Sequence, residues 1–194
     1  MMSKIFFSAD HHFGHKNIIK YCDRPWHDRD SMDDDLINLW NATVPEDGVV
    51  FYAGDFSFRG TGETMAIMEQ LNGTKHLIRG NHDTNVQEGV LKQFASILDY
   101  TAIHVEELSQ HIVISHYPFR TWEKMHYGAW QLHGHSHGKL PPMGGQLDIG
   151  IDRAAALLGQ YRPFNLLEIQ EHIGSANEPS DAPKTTQQHC NKAA

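Results

Sequence analysis

Aspartate, asparagine and histidine recur in this chain as short blocks: Asp10-His11-His12, Gly54-Asp55, Gly80-Asn81-His82-Asp83, His116 and Gly134-His135-Ser136-His137. Fifteen of the 194 residues are histidine, and imidazole is the commonest nitrogen ligand for metals. Hard oxygen donors mixed with borderline imidazole, without sulfur, suit Mn, Fe, Zn or Co better than Mg or Ca. Three of the blocks carry a glycine, which lets the backbone turn sharply and lets ligand atoms approach it. Singly, each block is weak. Asp-x-His reads equally as a polar strand end, Gly54-Asp55 as a turn, and Gly134-His135-Ser136-His137 as a surface loop. The set carries the chemistry, because each block follows an apolar run of strand length.

Those runs are Ile5-Phe6-Phe7-Ser8, Val49-Val50-Phe51-Tyr52, His76-Leu77-Ile78, Ile112-Val113-Ile114-Ser115 and Trp130-Gln131-Leu132. Near-continuous apolar runs are the signature of strands buried on both faces. Leu147-Asp148-Ile149 and the stretch from Phe164 to Ile169 read as further strands. Between the first two strands, Ser31 is expected to cap a helix whose apolar face is Leu36, Ile37 and Trp40. Between the second and third, Met65, Met68 and Leu71 repeat at helical spacing, with Asn72-Gly73 as the stop. Strands alternating with helices predict a layered α/β fold, in which loops beyond the strand carboxyl ends form the ligand crevice.

Composition bounds the rest. Hydrophobic residues make up 40% and charged residues 21%, enough for one packed domain over residues 1–173. Residues 174–194 contain no aromatic and no aliphatic side chain larger than alanine, and read as a mobile polar tail. A net charge of -8 argues against a broad basic surface for DNA or acidic membranes, yet leaves room for a focused anion site. Cys22 and Cys190 form no CxxC, which speaks against a disulfide framework and a thiolate zinc site. The simple expectation is a reducing, cytoplasmic setting. No apolar run approaches the ~18 residues of a membrane span, and the apolar part of the N-terminus is too short for a signal peptide.

The order Asp-x-His, Gly-Asp, Gly-Asn-His-Asp, His, Gly-His-x-His resembles the calcineurin-like metallophosphoesterase superfamily over Asp10 to His137. Gly14-His15-Lys16-Asn17 and Arg24-Pro25-Trp26 make the layout most similar to small bacterial or phage phosphoesterases. The resemblance implies a central β-sandwich flanked by helices, with two divalent ions (manganese among those named above) at the strand carboxyl ends. Asp10, His12, Asp55 and His137 would hold one ion, and Asp55, Asn81, His116 and His135 the other, with Asp55 bridging. His82 would be the uncoordinated catalytic histidine and Asp83 its orienting carboxylate. Arg59, within Gly54-Asp55-Phe56-Ser57-Phe58-Arg59-Gly60, resembles a phosphate-contacting arginine of the protein serine/threonine phosphatases, although that branch carries an aspartate where this chain has Phe58. His15, Arg24 and Arg120 follow their motifs closely enough to line the pocket. His11 is expected to point away from its neighbours' face.

The implied activity is hydrolysis of a small phosphodiester or phosphomonoester by in-line attack of a metal-bound hydroxide, with His82 as general acid. Two alternatives are a metal-dependent nuclease acting on DNA or RNA, and a non-catalytic nucleotide-binding sensor. The first lacks a basic tract here, and the second would be marked by lost ligands.

Overall fold

The computed structural model describes residues 4–83, 88–141 and 143–176. In chain order the elements are β1 (Ile5–Ser8), α1 (Ile18–Tyr21), α2 (Arg29–Thr43), β2 (Val49–Tyr52) and α3 (Thr61–Gln70). There follow β3 (Thr74–Ile78), α4 (Glu88–Leu91), β4 (Ser96–Leu98), β5 (Tyr100–Val105) and β6 (Gln110–Ser115). The last are β7 (Trp130–His133), β8 (Gln146–Asp148), α5 (Ile151–Leu158), β9 (Phe164–Asn165) and α6 (Leu166–Ala176).

Two mixed sheets carry the fold. One has the order β4-β3-β2-β1-β9, parallel from β4 to β1 with β9 antiparallel at its edge. The other has the order β5-β6-β7-β8, parallel from β6 to β8 with β5 antiparallel. Period-two alternation explains why the strand runs are apolar on both faces. On one face of the first sheet, Phe6, Val50, Tyr52 and Leu77 pack with Met32, Leu36, Ile37 and Trp40 of α2 and Ile67 and Met68 of α3. On the other, Phe7 and Ile78 pack with Ile112, Ile114, Leu132 and Leu147 of the second sheet and with Leu166, Ile169 and Ile173 of α6. The molecule is thus α/β: two sheets sharing one core, flanked by helices.

Local signals account for the helices, with three differences from the sequence-based expectation. The cap of α2 is Asp28, not Ser31: its Oδ1 accepts the N–H groups of Asp30 and Ser31 at 2.9 and 2.8 Å. An ionised side chain caps a helix N-terminus more strongly than a hydroxyl, because it also meets the macrodipole. Ser31 lies inside the helix and donates its hydroxyl back to the Asp28 carbonyl at 3.1 Å. The stretch from Phe164 to Ile169 is strand only over Phe164–Asn165. There Asn165 Oδ1 accepts the Glu168 N–H at 3.0 Å and Glu168 Oε2 accepts the Asn165 N–H at 2.9 Å, a reciprocal cap that starts α6. Finally, α6 runs through Ala176, so the first three residues of the expected tail are helical. Residues 177–194 lie outside the described residues. Among the described residues no helix is long and apolar enough to cross a membrane.

Candidate metal centre

The parallel strands bring their carboxyl ends to one side of the molecule, and the loops beyond them continue to pair. The Asp10 and His12 N–H groups donate to the carbonyls of Gly54 and Asp55 at 3.0 and 3.1 Å. The Gly134 N–H donates to the His116 carbonyl at 3.0 Å, and the Ile151 N–H to the Ala9 carbonyl at 3.1 Å. The loops are therefore braced by backbone ladders rather than left to their side chains. Asp10, His12, Asp55, His135 and His137 all sit in the left-handed region, with φ between 49 and 67°. Each such residue costs on the order of 1–3 kcal/mol and persists only where its surroundings over-determine it, typically at functional sites.

Among the described residues ligand-type atoms come together in three groups, two of them built by these loops. Asp10, His12 and His137 form one, and Asp55, His116 and His135 the other, each with its donor atoms within 4.8 Å of one another. Asp55 Oδ2 lies between the groups, 3.7 Å from His12 Nε2 and 3.5 Å from His116 Nε2. Asn81 joins the second group, with Oδ1 3.0 Å from His116 Nε2. His116 Nδ1 lies 2.7 Å from the Ala53 carbonyl, which can only accept, so Nδ1 carries a proton. In the neutral ring Nε2 is then a lone pair, and it faces two further acceptors, Asn81 Oδ1 and Asp55 Oδ2. In the first group Asp10 Oδ1 and both ring nitrogens of His12 are buried without a hydrogen-bond partner. Buried polar atoms are normally satisfied, and converging carboxylate, imidazole and amide groups with unsatisfied atoms among them are an arrangement a cation can complete. The donor set of carboxylates, imidazoles and one amide oxygen fits a borderline divalent ion.

The electrostatics point the same way. Burial pushes the Asp10 carboxyl well above its ordinary range, opposed by the charge of His137 and reinforced by Asp148, Asp55 and Asp152. Burial, then the Arg24 charge, pushes His12 far below an ordinary histidine. His137 moves the other way: burial lowers it, but hydrogen bonds to Asp152 and Cys22 and the charge of Asp10 outweigh burial and hold it at about 10. Asp152, also against burial, is held down at about 2 by its bonds to His137 and Arg24. The carboxylates of Asp10 and Asp152 that favour positive charge on His137 would equally favour a cation in its place.

His82 stands beside both groups and belongs to neither. Its N–H donates to Asp55 Oδ1 at 2.9 Å, its Nε2 is 3.9 Å from Asp55 Oδ2, and 44% of its side chain is exposed. Its ring packs against Phe58 and His12, with centroids 4.7 and 5.7 Å away. His15 lies on the same rim, stacked on Phe58 at 4.1 Å. On the opposite rim Tyr117 packs against His135 and His116, at 4.6 and 5.0 Å. His11 points into the core, where Nδ1 meets the Tyr52 hydroxyl at 3.0 Å and the ring packs on Phe13 and Trp40.

Several expected roles go elsewhere. Asp83 does not touch the His82 ring; its carboxylate accepts the N–H groups of Asp55 and Gly80 at 2.7 Å and of Phe56 at 3.1 Å. Three backbone donors outcompete one exposed ring, so Asp83 ties two loops together. Arg59 spans α2 and α3: its guanidinium is shared among Asp33 at 2.8 Å, Glu63 at 3.2 Å and Asp30. With three carboxylates around it, it is committed away from the ligand groups. Arg24 is a buried structural cation, described below. Arg120 is exposed beyond His116, and no contact among the described residues brings it to the centre.

Two carboxylates were missed from the sequence. Asp148 Oδ2 accepts the Ser136 hydroxyl and the Gly138 N–H, both at 2.7 Å, and so shapes the loop bearing His135 and His137. Asp152 Oδ2 meets His137 Nδ1 at 2.7 Å. The signal was present: Leu147-Asp148-Ile149 is a sixth apolar strand run, and acidic residues stand within it and just beyond its end. Cys22, set aside because it and Cys190 form no CxxC, joins His137 and Asp152 in a further group of ligand-type atoms within 4.8 Å of one another.

Gly80 shows how tightly the centre is built. A Cβ there would lie 2.3 Å from Asp55 Oδ1 and 2.6 Å from the Asp55 nitrogen. Gly80→Ala must therefore displace the Asp55 carboxylate, and its affinity for divalent metal should fall by at least about tenfold, the lower end of what disturbing a ligand's orientation costs. Equilibrium dialysis against Mn2+ checks this; unchanged affinity would remove Asp55 from the centre.

No family model matches the chain. It is similar to the uncharacterized protein MJ1445 of Methanocaldococcus jannaschii, 31% identical over 138 residues that cover 70% of each chain. It is 30% identical to the gene 66 protein of Mycobacterium phage D29 over 164 residues, 72% of this chain and 81% of that protein. Against the gene 66 protein of Mycobacterium phage L5 the identity is 24% over 205 residues, 89% of this chain and 99% of that one. Among solved structures, the protein of unknown function AQ665 from Aquifex aeolicus superposes with a TM-score of 0.66 at 23% identity, covering 87% of this chain and 98% of its own. At that identity the likeness speaks for a shared fold.

Proposed function

The chain belongs to the same family as protein MJ1445 of Methanocaldococcus jannaschii and the gene 66 protein of phage D29, and we propose that it is a dinuclear metal-dependent phosphoesterase of the calcineurin-like kind. One observation carries the reading: two groups of convergent ligand-type side chains, with three buried atoms lacking hydrogen-bond partners, meet at Asp55 Oδ2. The five-block motif order supports it independently.

Asp10, His12 and His137 would hold one ion and Asp55, Asn81, His116 and His135 the other, with Asp55 Oδ2 reaching both. Two divalent ions held there would supply charge neutralisation at a phosphoryl group and would acidify water. The remaining work falls to the chain. Backbone ladders fix the ligand loops, so that little reorganisation accompanies the reaction. His82, rim-exposed and tethered through its N–H to Asp55, holds a proton for the departing oxygen. With Arg24 and Arg59 both consumed by carboxylates and a net charge of -8, a compact phosphoester is favoured over a nucleic-acid strand.

The test is a screen of the metal-stripped chain reloaded with Mn2+, Fe2+, Zn2+ or Co2+. The substrates are bis(p-nitrophenyl) phosphate, p-nitrophenyl phosphate, cyclic nucleotides and single-stranded DNA. Metal-dependent hydrolysis is expected, with the diester cleaved at least as well as the monoester. Two bound ions without turnover of any phosphoester would overturn the reading.

A further inference from the structure

Arg24 and Asp152 lie 128 positions apart and meet in a bidentate pair, Nε to Oδ1 at 2.8 Å and Nη2 to Oδ2 at 2.9 Å. The Arg24 side chain is wholly buried and that of Asp152 nearly so. Arg24 also donates to two backbone carbonyls of the first ligand loop, Nη2 to Asp10 at 2.7 Å and Nη1 to His11 at 2.8 Å. Asp152 Oδ2, the same oxygen that takes Nη2, holds His137 Nδ1. One ion pair therefore grips both loops that carry Asp10, His12 and His137. The second group is braced differently: a backbone carbonyl holds His116, and Asp83 accepts N–H groups from the loops of Asp55 and Asn81. A buried pair of this kind adds little net stability over an apolar replacement, so its contribution here is geometric. A carboxylate behind a ligating histidine fixes the ring and makes it a better donor.

We propose that Arg24 and Asp152 are positioning residues that set chiefly the Asp10, His12 and His137 group, so that one of the two metal sites depends on them much more than the other. This rests on the two-ion reading above. The experiment is equilibrium dialysis of the metal-stripped full chain against Mn2+ at fixed pH. The wild type is expected to bind two ions. His137→Ala should lose one binding step and His116→Ala the other, which assigns them. Asp152→Asn should weaken the His137 step by roughly 10–100-fold and the His116 step clearly less, since the two groups couple only through Asp55 and the His135 N–H on Asp10. Added to His137→Ala, it should change nothing further. Arg24→Lys keeps the carboxylate on His137 but loses the fork that reaches the carbonyls, and should weaken the same step; it decides the matter if Asp152→Asn does not fold. Equal weakening of both steps, weakening of the His116 step alone, or no change overturns the proposal while the two-ion reading stands. A wild type that binds fewer than two ions overturns both.

Discussion

Asp55→Asn should empty both metal sites and remove turnover, with no loss of fold. Asp55 Oδ2 lies within 4 Å of histidines from both groups, so each ion loses half of a shared negative charge when it is neutralised. Turnover should fall by at least about 10²–10³-fold, the span for loss of a single preorganised electrostatic contact, and further as both ions leave. The amide still offers an oxygen to the His82 N–H, which now bonds Oδ1 at 2.9 Å. Its NH2 can donate where the carboxylate could only crowd the His12 and His116 nitrogens. The metal-free variant should therefore melt at or above the metal-free wild type, because a buried charge facing other acceptors has been removed. Elemental analysis and thermal unfolding of the same preparations decide it. Two ions retained at wild-type affinity would take Asp55 out of the bridging position.

His82→Ala should keep both ions and lose catalysis, kcat falling by roughly 10²–10⁴, the usual span for general acid–base work. Its side chain belongs to neither ligand group and is 44% exposed at the rim, so truncating it leaves the donors in place. The loss should be largest for alkyl or nucleoside leaving groups and smallest for p-nitrophenolate, which departs without needing a proton. The structure sharpens this test. Because Asp83 braces backbone N–H groups instead of the His82 ring, an Asp83 variant would disturb the ligand loops and is no substitute for the His82 variant. If His82→Ala empties a metal site, or slows good and poor leaving groups equally, the general-acid role fails.

Much of the centre was legible before any coordinates. A strand buried on both faces must be apolar along its length, so β1, β2, β3, β6 and β7 announce themselves. Polar residues that break off such a run must lie at its end, and parallel strands collect those ends on one side of the sheet. Asp10, His12, Asp55, Asn81, His116, His135 and His137 could therefore be assigned to one crevice from type and position. The α2 and α3 faces followed from helical spacing of Leu36, Ile37 and Trp40 and of Met65 and Met68. Even the α6 start was written locally, in Asn165 and Glu168 three residues apart, and was passed over because the flanking Leu-Leu-x-Ile run also suits a strand.

What periodicity cannot report is where a long or charged side chain finds its partners. Arg24 and Arg59 both looked available to a phosphate, since proximity in sequence to a ligand motif says nothing of direction. Folding gave each a set of carboxylates instead, Asp152 from the far end of the chain for one and Asp30, Asp33 and Glu63 from α2 and α3 for the other. Asp83 was drawn from its neighbour His82 to three backbone donors on two loops. In each case a buried charge must be satisfied, its candidate partners are scattered through the sequence, and only the packed core decides which come within 3 Å. The identities of the ligands were thus set by local pattern at strand ends. The pairs that hold those ligands in place were set by long-range geometry, because a buried ion pair needs two side chains to meet and no single stretch of sequence contains both.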